Sequence, residues 1–177
     1  MLRTISDHIL DIVQNSFEAD AKNVELVLEE RTGEYFRFVV KDDGIGMGEE
    51  ELEKIFDPFF TSSEKHLRKV GLGLPFLKQS AEMSGGYVRV ESKEGKGTKV
   101  DAMFRLDSID CPPLGDLPFT IVSLLMNTDV NLTVKRIKDG EVVYELSTEG
   151  LKEKYGDMIE NPSFMKILLD SLKEMES

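Results

Sequence analysis

Residues 40–48 read Val-Lys-Asp-Asp-Gly-Ile-Gly-Met-Gly and continue an alternating stretch, residues 35–41, that predicts a β-strand. They place a carboxylate, Asp42, at the end of that strand, with glycines at Gly44 and Gly46 close behind. Glycines let the backbone pass close to a flat ring, while the carboxylate can accept a hydrogen bond from an amino group. Taken alone, the same pattern also fits a tight turn that binds nothing.

The segments on either side of this loop predict an α/β fold. Apolar residues at three- and four-residue spacing predict a helix over residues 2–19. Alternation predicts a strand over residues 23–29, paired antiparallel with residues 35–41. The next predicted elements are a helix over 49–56, a loop over 61–70, a helix over 74–83 and a strand pair over 87–92 and 98–106. This order is typical of a two-layer α/β sandwich, a mixed sheet covered on one face by helices.

A boundary is predicted at Cys111-Pro112-Pro113, where the pattern breaks. Residues 1–107 then form one domain, and residues 108–177 form a small α+β appendage that packs on it. The elements expected in the appendage are a helix over 116–126, a hairpin of 130–138 and 141–147 around Asp139-Gly140, and a last helix that begins at Asn161-Pro162.

The charge of the chain limits its partners. The net charge of −12 is spread evenly, because residues 1–107 and 108–177 each contribute −6. Without a basic patch, we expect no nucleic-acid binding. No apolar run reaches the length of a membrane span and no signal peptide is evident, so we expect a cytoplasmic protein without membrane contact.

Three further segments carry residues suited to chemistry. Asp11 and Asn15 lie four apart on the first helix, so they share a face and could together hold hydrated Mg²⁺ and phosphate oxygens. The stretch from Arg68 to Pro75 opens a helix with glycines, whose backbone N–H groups suit phosphate. The turn from Glu94 to Thr98 ends in a hydroxyl. Each segment alone also fits a plainer structure: a solvated helix face, a loop or a simple hairpin.

Together, in this order, the segments resemble the GHKL ATPases, the superfamily of gyrase, the heat-shock chaperone, histidine kinases and the mismatch-repair ATPase. The resemblance covers nearly all of residues 1–107 and implies ATP and Mg²⁺ as ligands. It makes Asn15 the Mg²⁺ ligand and Asp42 the reader of the adenine amino group. Residues 55–61 resemble the F-box of sensor kinases, and Gly71–Leu74 and Gly95–Thr98 resemble the second glycine box and the closing turn. The nucleotide-binding residues that it implies are Asn15, Asp42, Gly44, Gly46, Met47, Phe60, Lys69, Gly71, Leu72, Gly73, Leu74 and Thr98.

Asp11 falls where many members that hydrolyse ATP, or phosphorylate a protein serine, carry a glutamate that acts as general base. Because its carboxylate is one methylene shorter, contact with the attacking group could require a water, and we expect slow chemistry. The phospho-acceptor hairpin of sensor kinases has no counterpart in the sequence, and a structural or solvated role is expected for both histidines, His8 and His66. The lid, residues 62–69, is short, which predicts a tight cover over the phosphates.

Two functions stay open on these residues. One is a kinase-like or slowly hydrolysing ATPase that acts on a separate protein partner; the other is a regulatory module that binds nucleotide without turnover. A homodimer also stays open. The whole chain resembles small stand-alone GHKL proteins of anaerobic bacteria, but that resemblance supplies no activity.

Overall fold

The computed structural model describes residues 3–59 and 73–177, which form a mixed sheet and its covering helices. The helices are α1 (Ile5–Glu18), α2 (Glu49–Lys54), α3 (Gly73–Met83), α4 (Leu117–Leu125), α5 (Thr148–Tyr155) and α6 (Pro162–Glu176), with a 3-10 turn at Gly156–Glu160. The strands are β1 (Asn23–Arg31), β2 (Tyr35–Asp42), β3 (Tyr87–Lys93), β4 (Gly97–Arg105), β5 (Asn131–Lys138) and β6 (Glu141–Ser147).

The six strands lie in one sheet, in the order β3-β4-β2-β1-β5-β6. Every neighbouring pair is antiparallel except β1 and β5, which are parallel. The predicted α/β class with a mixed sheet is therefore confirmed. The C-terminal residues add β5 and β6 to this same sheet, and the division of the chain at residue 107 stays a prediction.

One face of the sheet holds the core. Residues that pair across neighbouring strands point to the same face, so Leu26, Val40 and Val100 are buried side by side. The opposite face is charged, and there Arg37 donates to both oxygens of Asp101 at 2.9 Å. This alternation explains why the strand boundaries could be predicted closely from sequence.

Helix α1 begins at Ile5 rather than at residue 2, because Thr4 caps it. The Thr4 hydroxyl accepts from the backbone N–H of Asp7, and the Asp7 carboxylate accepts from the backbone N–H of Thr4. The helix packs its apolar stripe on the sheet and against α4. In the described part of the chain, no helix combines the length and the apolar character that crossing a bilayer requires.

The other predicted helices and strands are found, and the structure adds two elements that were not predicted. The helix over 74–83, the hairpin around Asp139-Gly140 and the Asn161 cap of the last helix are confirmed. Helix α5 and the 3-10 turn after it were not predicted. Their sequence, residues 148–160, is rich in charged residues and offers little apolar periodicity. The predicted loop over 61–70 lies outside the described residues.

The last helix is held to the sheet by a buried guanidinium. Arg136 on β5 is 1% exposed, and its Nη2 lies 2.6 Å from Oε1 of Glu30. Its Nε donates to Oε2 of Glu176 at 2.9 Å, and the Tyr144 hydroxyl donates to the same oxygen at 2.8 Å. Burial first, and the contact with Glu176 second, raise the pKa of Tyr144 well above its ordinary value, although Arg136 opposes the shift. The end of the chain is therefore part of the folded core.

A second buried polar group, His8 on α1, has no such partners. It is 1% exposed, and neither ring nitrogen has a hydrogen-bond partner among the described residues. Its ring stacks on Phe104 with centroids 6.0 Å apart. Burial first, and the nearby Arg3 second, lower the pKa of His8 to about 4, although Asp11 and Asp7 oppose the shift. His8 is therefore neutral at neutral pH.

We expect Glu176→Ala to lower the free energy of unfolding by about 2–3 kcal/mol, because it leaves a buried guanidinium with one carboxylate partner. Denaturant titration followed by circular dichroism measures the change. Glu174→Ala is the matched control, since Glu174 is exposed on the same helix. Equal free energies of unfolding for Glu176→Ala and Glu174→Ala would contradict the stabilising role assigned to the contact between Arg136 and Glu176.

Stability should also fall as the pH is lowered from about 6.5 to about 4. Between these pH values His8 binds a proton in the unfolded chain but not in the folded chain. Protonation of His8 therefore favours the unfolded state by up to about 3 kcal/mol. His8→Phe should flatten this part of the profile of unfolding free energy against pH. A profile of unchanged slope would show that His8 is protonated in the folded protein.

Candidate functional site

The centre of the candidate site is the Asp42 side chain, at the end of β2. It is 7% exposed and accepts three hydrogen bonds. Its Oδ2 accepts from the Ser16 hydroxyl at 2.6 Å, and its Oδ1 accepts from the backbone N–H groups of Gly44 and Thr98 at 2.9 and 3.2 Å. Because a carboxylate offers two acceptor positions on each oxygen, one position on Oδ2 stays available.

Ser16 was missed by the sequence analysis. It is 2% exposed and lies four residues after Ile12 and three after Val13, on the buried stripe of α1. The apolar residue beside it, Phe17, is only half-buried. A hydroxyl at a buried position of an amphipathic helix was the available signal, since such a group needs a partner inside the protein.

The loop after Asp42 fits closely against its neighbours. A Cβ atom at Gly44 would lie 2.6 Å from the Ala19 carbonyl oxygen, and one at Gly46 would lie 2.1 Å from the Lys93 carbonyl oxygen. Gly46 also has a φ of +69°. The two glycines are therefore required by contacts with the protein's own backbone, whatever the loop binds.

Asp43 fixes the other side of this loop. Its Oδ1 accepts from the backbone N–H groups of Lys22 and Asn23 at 2.8 and 2.9 Å, and its Oδ2 accepts from the Asn23 amide. Although burial opposes the shift, these hydrogen bonds lower the pKa of Asp43 below its ordinary value. Asp43 therefore has a structural role, and Asp42 alone of the two faces the site.

The turn at residues 94–98 closes the site from β4. Gly97, at a φ of +126°, passes so close to β2 that a Cβ atom there would lie 2.0 Å from the Asp42 carbonyl oxygen. The Thr98 and Ser92 hydroxyls are 2.8 Å apart, and Ser92 accepts from the backbone N–H of Met47. The Met47 side chain is buried in the core.

Several of the predicted site residues meet around one small cavity. It lies between α1, the end of β2, the start of α3 and β4, and holds about 10 Å³ of free space. The side chain of Asn15 makes no hydrogen bond to another described residue, so its amide is available to a ligand. The residues that line the cavity are Ile12, Asn15, Ser16, Asp42, Leu74, Thr98 and Val100.

Asp11, the predicted general base, is engaged by a cation. The Arg3 guanidinium forms an ion pair with its Oδ2. The start of α3 lies beside it, since a Cβ atom at Gly73 would be 3.8 Å from the Asp11 Cβ. Arg3 also lies over the Phe76 ring, 5.4 Å from its centroid. No role was predicted for Arg3. It lies eight residues before Asp11, and this spacing does not indicate that the two side chains meet.

Four predicted nucleotide-binding residues lie outside the described residues: Phe60, Lys69, Gly71 and Leu72. The same holds for the lid at residues 62–69 and for His66. Within the described part of the F-box, Ile55 is buried and Phe59 is 91% exposed. Lys78 of α3 lies over the Phe56 ring at 4.8 Å, so this segment contacts the helix that borders the cavity.

The chain was compared with known proteins by family and by sequence. The family model for histidine kinase-, DNA gyrase B- and HSP90-like ATPases matches residues 3–108. Sporulation kinase E of Bacillus subtilis is 35% identical over 91 residues, which are 50% of this chain and 12% of that protein. The sensor histidine kinase YkoH of the same organism is 35% identical over 96 residues, or 52% of this chain and 21% of that kinase. The chain thus spans only a small part of these relatives.

Solved structures show the same fold over more of the chain. The N-terminal domain of a DNA repair protein superposes with a TM-score of 0.54 at 14% identity, covering 88% of this chain and 58% of that one. The Aquifex aeolicus MutL ATPase domain, complexed with ADP, superposes with a TM-score of 0.50 at 18% identity, covering 87% and 67%. At such identities the likeness concerns the fold alone.

Proposed function

The chain belongs to the family of histidine kinase-, DNA gyrase B- and HSP90-like ATPases, and on this premise we propose that it binds ATP in the cavity beside Asp42. The observation that carries the proposal is the convergence of Asn15, Asp42, Leu74 and Thr98 on one cavity. These residues come from four separate segments, and packing alone does not require an available carboxylate position and an unengaged amide there.

Asp42 suits the recognition of adenine. Its Oδ1 accepts two backbone N–H groups and its Oδ2 one hydroxyl, so a single acceptor position remains for the exocyclic amino group. Guanine presents a carbonyl oxygen at the corresponding ring position, and a carboxylate repels it. The buried Ser16 hydroxyl fixes the orientation of the carboxylate before the ligand arrives, which lowers the cost of binding.

The opposite end of the cavity suits phosphates. The first backbone N–H groups of α3, from Gly73 onward, have no partner within the helix and carry the positive end of its dipole. The half-buried Asn15 amide is available to bind Mg²⁺, which prefers oxygen ligands and neutralises phosphate charge. We therefore assign Asn15 to the metal that accompanies the nucleotide.

ATP binding requires this cavity to widen. Sites for molecules of this size usually measure about 300–1,000 Å³, whereas about 10 Å³ is free between the lining residues. Asp42 and Thr98 are held by the sheet, but Leu74 lies in the first turn of α3. We infer that α3 shifts relative to α1 when nucleotide binds.

We further propose that the bound ATP supports kinase-like transfer or slow hydrolysis directed at a separate protein partner. The bond between the γ-phosphorus and its bridging oxygen breaks, a bond from that phosphorus to the attacking oxygen forms, and ADP leaves. When the attacking group is a hydroxyl or water, Asp11 accepts its proton. The position of Asp11, beside the start of α3, suits this role.

The Arg3–Asp11 ion pair favours a second candidate, a module whose partner affinity depends on nucleotide without turnover. The guanidinium engages the carboxylate that would act as base. Turnover then requires Arg3 to release Asp11. If Arg3 stays paired with Asp11, the protein binds nucleotide without turnover. A cytoplasmic location stays a prediction for either function.

Nucleotide binding should depend on Asp42 and Ser16. We expect Ser16→Ala to weaken ATP binding by roughly tenfold, because the carboxylate loses its fixed orientation. Asp42→Asn should weaken it further and lower the preference for ATP over GTP, since an amide can present a donor in place of an acceptor. Isothermal calorimetry with both nucleotides measures these affinities.

Asp43→Asn is the matched control for the calorimetry. It makes the same chemical change one residue along, at a side chain directed to Lys22 and Asn23 rather than to the cavity. We expect it to cost stability and to leave ATP affinity unchanged. If all three variants bind ATP as the wild type does, the site is elsewhere.

Turnover should depend on Asp11. With γ-labelled ATP, alone and with a cell extract, we expect Asp11→Asn to lower phosphate release or label transfer by about 100-fold and to leave ATP affinity nearly unchanged. Glu18→Gln, an exposed change on the same helix, is the control. Label on another protein supports the kinase and free phosphate supports the ATPase. ATP binding with neither product supports the regulatory module.

A further inference from the structure

A second, larger cavity lies at the start of α1. It measures about 600 Å³, within the range of small-molecule sites, and none of the described residues lines both it and the cavity beside Asp42. Three segments form it: the beginning of α1, one side of α3, and the chain between β4 and α4. Its lining residues are Arg3, His8, Phe76, Gln79, Ser80, Met83, Ile109, Asp110, Cys111, Pro112 and Pro113.

The side chains that line this cavity are mainly apolar, and three of these apolar side chains are exposed to solvent. Phe76, Met83 and Ile109 are 38%, 59% and 99% exposed. Pro112 and Pro113 add rigid apolar surface on the same side. A ligand with a flat apolar body would remove this surface from water, which favours binding.

His8 supplies the polar group of the cavity. It is 1% exposed, yet neither ring nitrogen has a hydrogen-bond partner among the described residues. Two other buried polar groups of α1 are partnered: Ser6 donates to the Leu114 carbonyl at 2.6 Å, and Ser16 donates to Asp42. A buried polar group without a partner costs about 1–3 kcal/mol. A ligand that hydrogen-bonds to the ring would recover part of that cost.

The charges around the cavity favour an uncharged ligand. Arg3 is already paired with Asp11, and Asp110 is the carboxylate among the lining residues. The low pKa of His8 keeps its ring neutral, with one donor nitrogen and one acceptor nitrogen. An anion would meet the carboxylate of Asp110, while the lining cation, Arg3, is already paired with Asp11; a cation would meet the guanidinium of Arg3.

We propose that this cavity binds a small, uncharged, planar aromatic molecule that lies against Phe76 and Met83 and forms a hydrogen bond with His8. The site is separate from the nucleotide cavity, and its occupant is not the nucleotide. Because Arg3 lines the cavity and also holds Asp11, an occupant contacts the residue that engages the candidate base.

The chain provides its own reporter of occupancy. Cys111 is its only cysteine and lines the cavity. Burial raises the pKa of its thiol, so labelling is slow and sensitive to what covers it. We would measure the rate at which an aromatic disulfide reagent modifies Cys111 in the full chain, with indole as the probe. Indole is planar and uncharged and carries one N–H donor.

We expect indole to slow labelling of Cys111 and to move the ring signals of His8 in the NMR spectrum. The chain has two histidines, so His8→Phe assigns the signal. The same variant should weaken indole protection by about tenfold, because it keeps the ring stacking and removes the hydrogen bond. It should also raise the stability of the ligand-free protein, because it removes two buried nitrogens that have no partner among the described residues.

Ser80→Trp is a second variant, which fills the cavity from the exposed side of α3 and should abolish protection. It keeps the test decisive if His8→Phe does not fold. Protection of equal strength in wild type, His8→Phe and Ser80→Trp would overturn the proposal, as would no protection of the wild type up to the solubility limit of indole. Strictly competitive displacement of indole by ATP, with no concentration at which both are bound, would place indole in the nucleotide cavity and also overturn it. Stronger protection by indole-3-acetate or tryptamine would contradict the requirement for an uncharged ligand.

Discussion

The site depends on the burial of one carboxylate, Asp42. A buried charge is tolerated only where donors surround it, and here the three donors come from α1, from the loop after β2 and from β4. Each hydrogen bond therefore joins a separate segment to the end of β2. The glycines at 44 and 97 serve the same arrangement, because a side chain at either position would collide with the backbone beside it. The three hydrogen bonds that fix the Asp42 carboxylate beside the cavity thus also hold α1, the loop after β2 and β4 together.

Local rules explain how much of the fold could be predicted. Strands with one buried face show a two-residue alternation, and Asn161-Pro162 and Asp139-Gly140 have the backbone preferences of a helix start and a hairpin turn. The parallel pairing of β5 with β1 could not be predicted, because it joins segments about a hundred residues apart and has no local signature. The charged helix α5 was missed for a related reason, since its position depends on packing rather than on its own pattern.

The residues of the candidate site also fall into two groups, those that local sequence motifs predict and those that depend on contacts in the folded chain. Asp42, Asn15 and Thr98 could be found from sequence because each belongs to a motif with fixed spacing, and the structure brings them to one cavity. The partners of Ser16 and Arg3 could not be predicted, because they lie 26 and 8 residues away and only the folded chain brings them together. Ser16 donates to Asp42 and Arg3 pairs with Asp11, so each of these residues contacts one carboxylate of the candidate site. Sequence motifs thus located several groups that line the cavity, and the fold was needed to find the groups that hold the two carboxylates.

Helix α1 is the common wall of both cavities, and this has a physical consequence for regulation. Its beginning lines the cavity around His8, and its later turns line the cavity beside Asp42. Arg3 lies between them, because it borders the first cavity, lies over Phe76 of α3 and holds Asp11. Helix α3 also borders both cavities, so a shift of α3 that admits a purine would change the position of Phe76 and Met83 as well. A shift of α3 of the kind inferred for nucleotide binding would therefore also reshape the second cavity, and it would couple binding at the two sites.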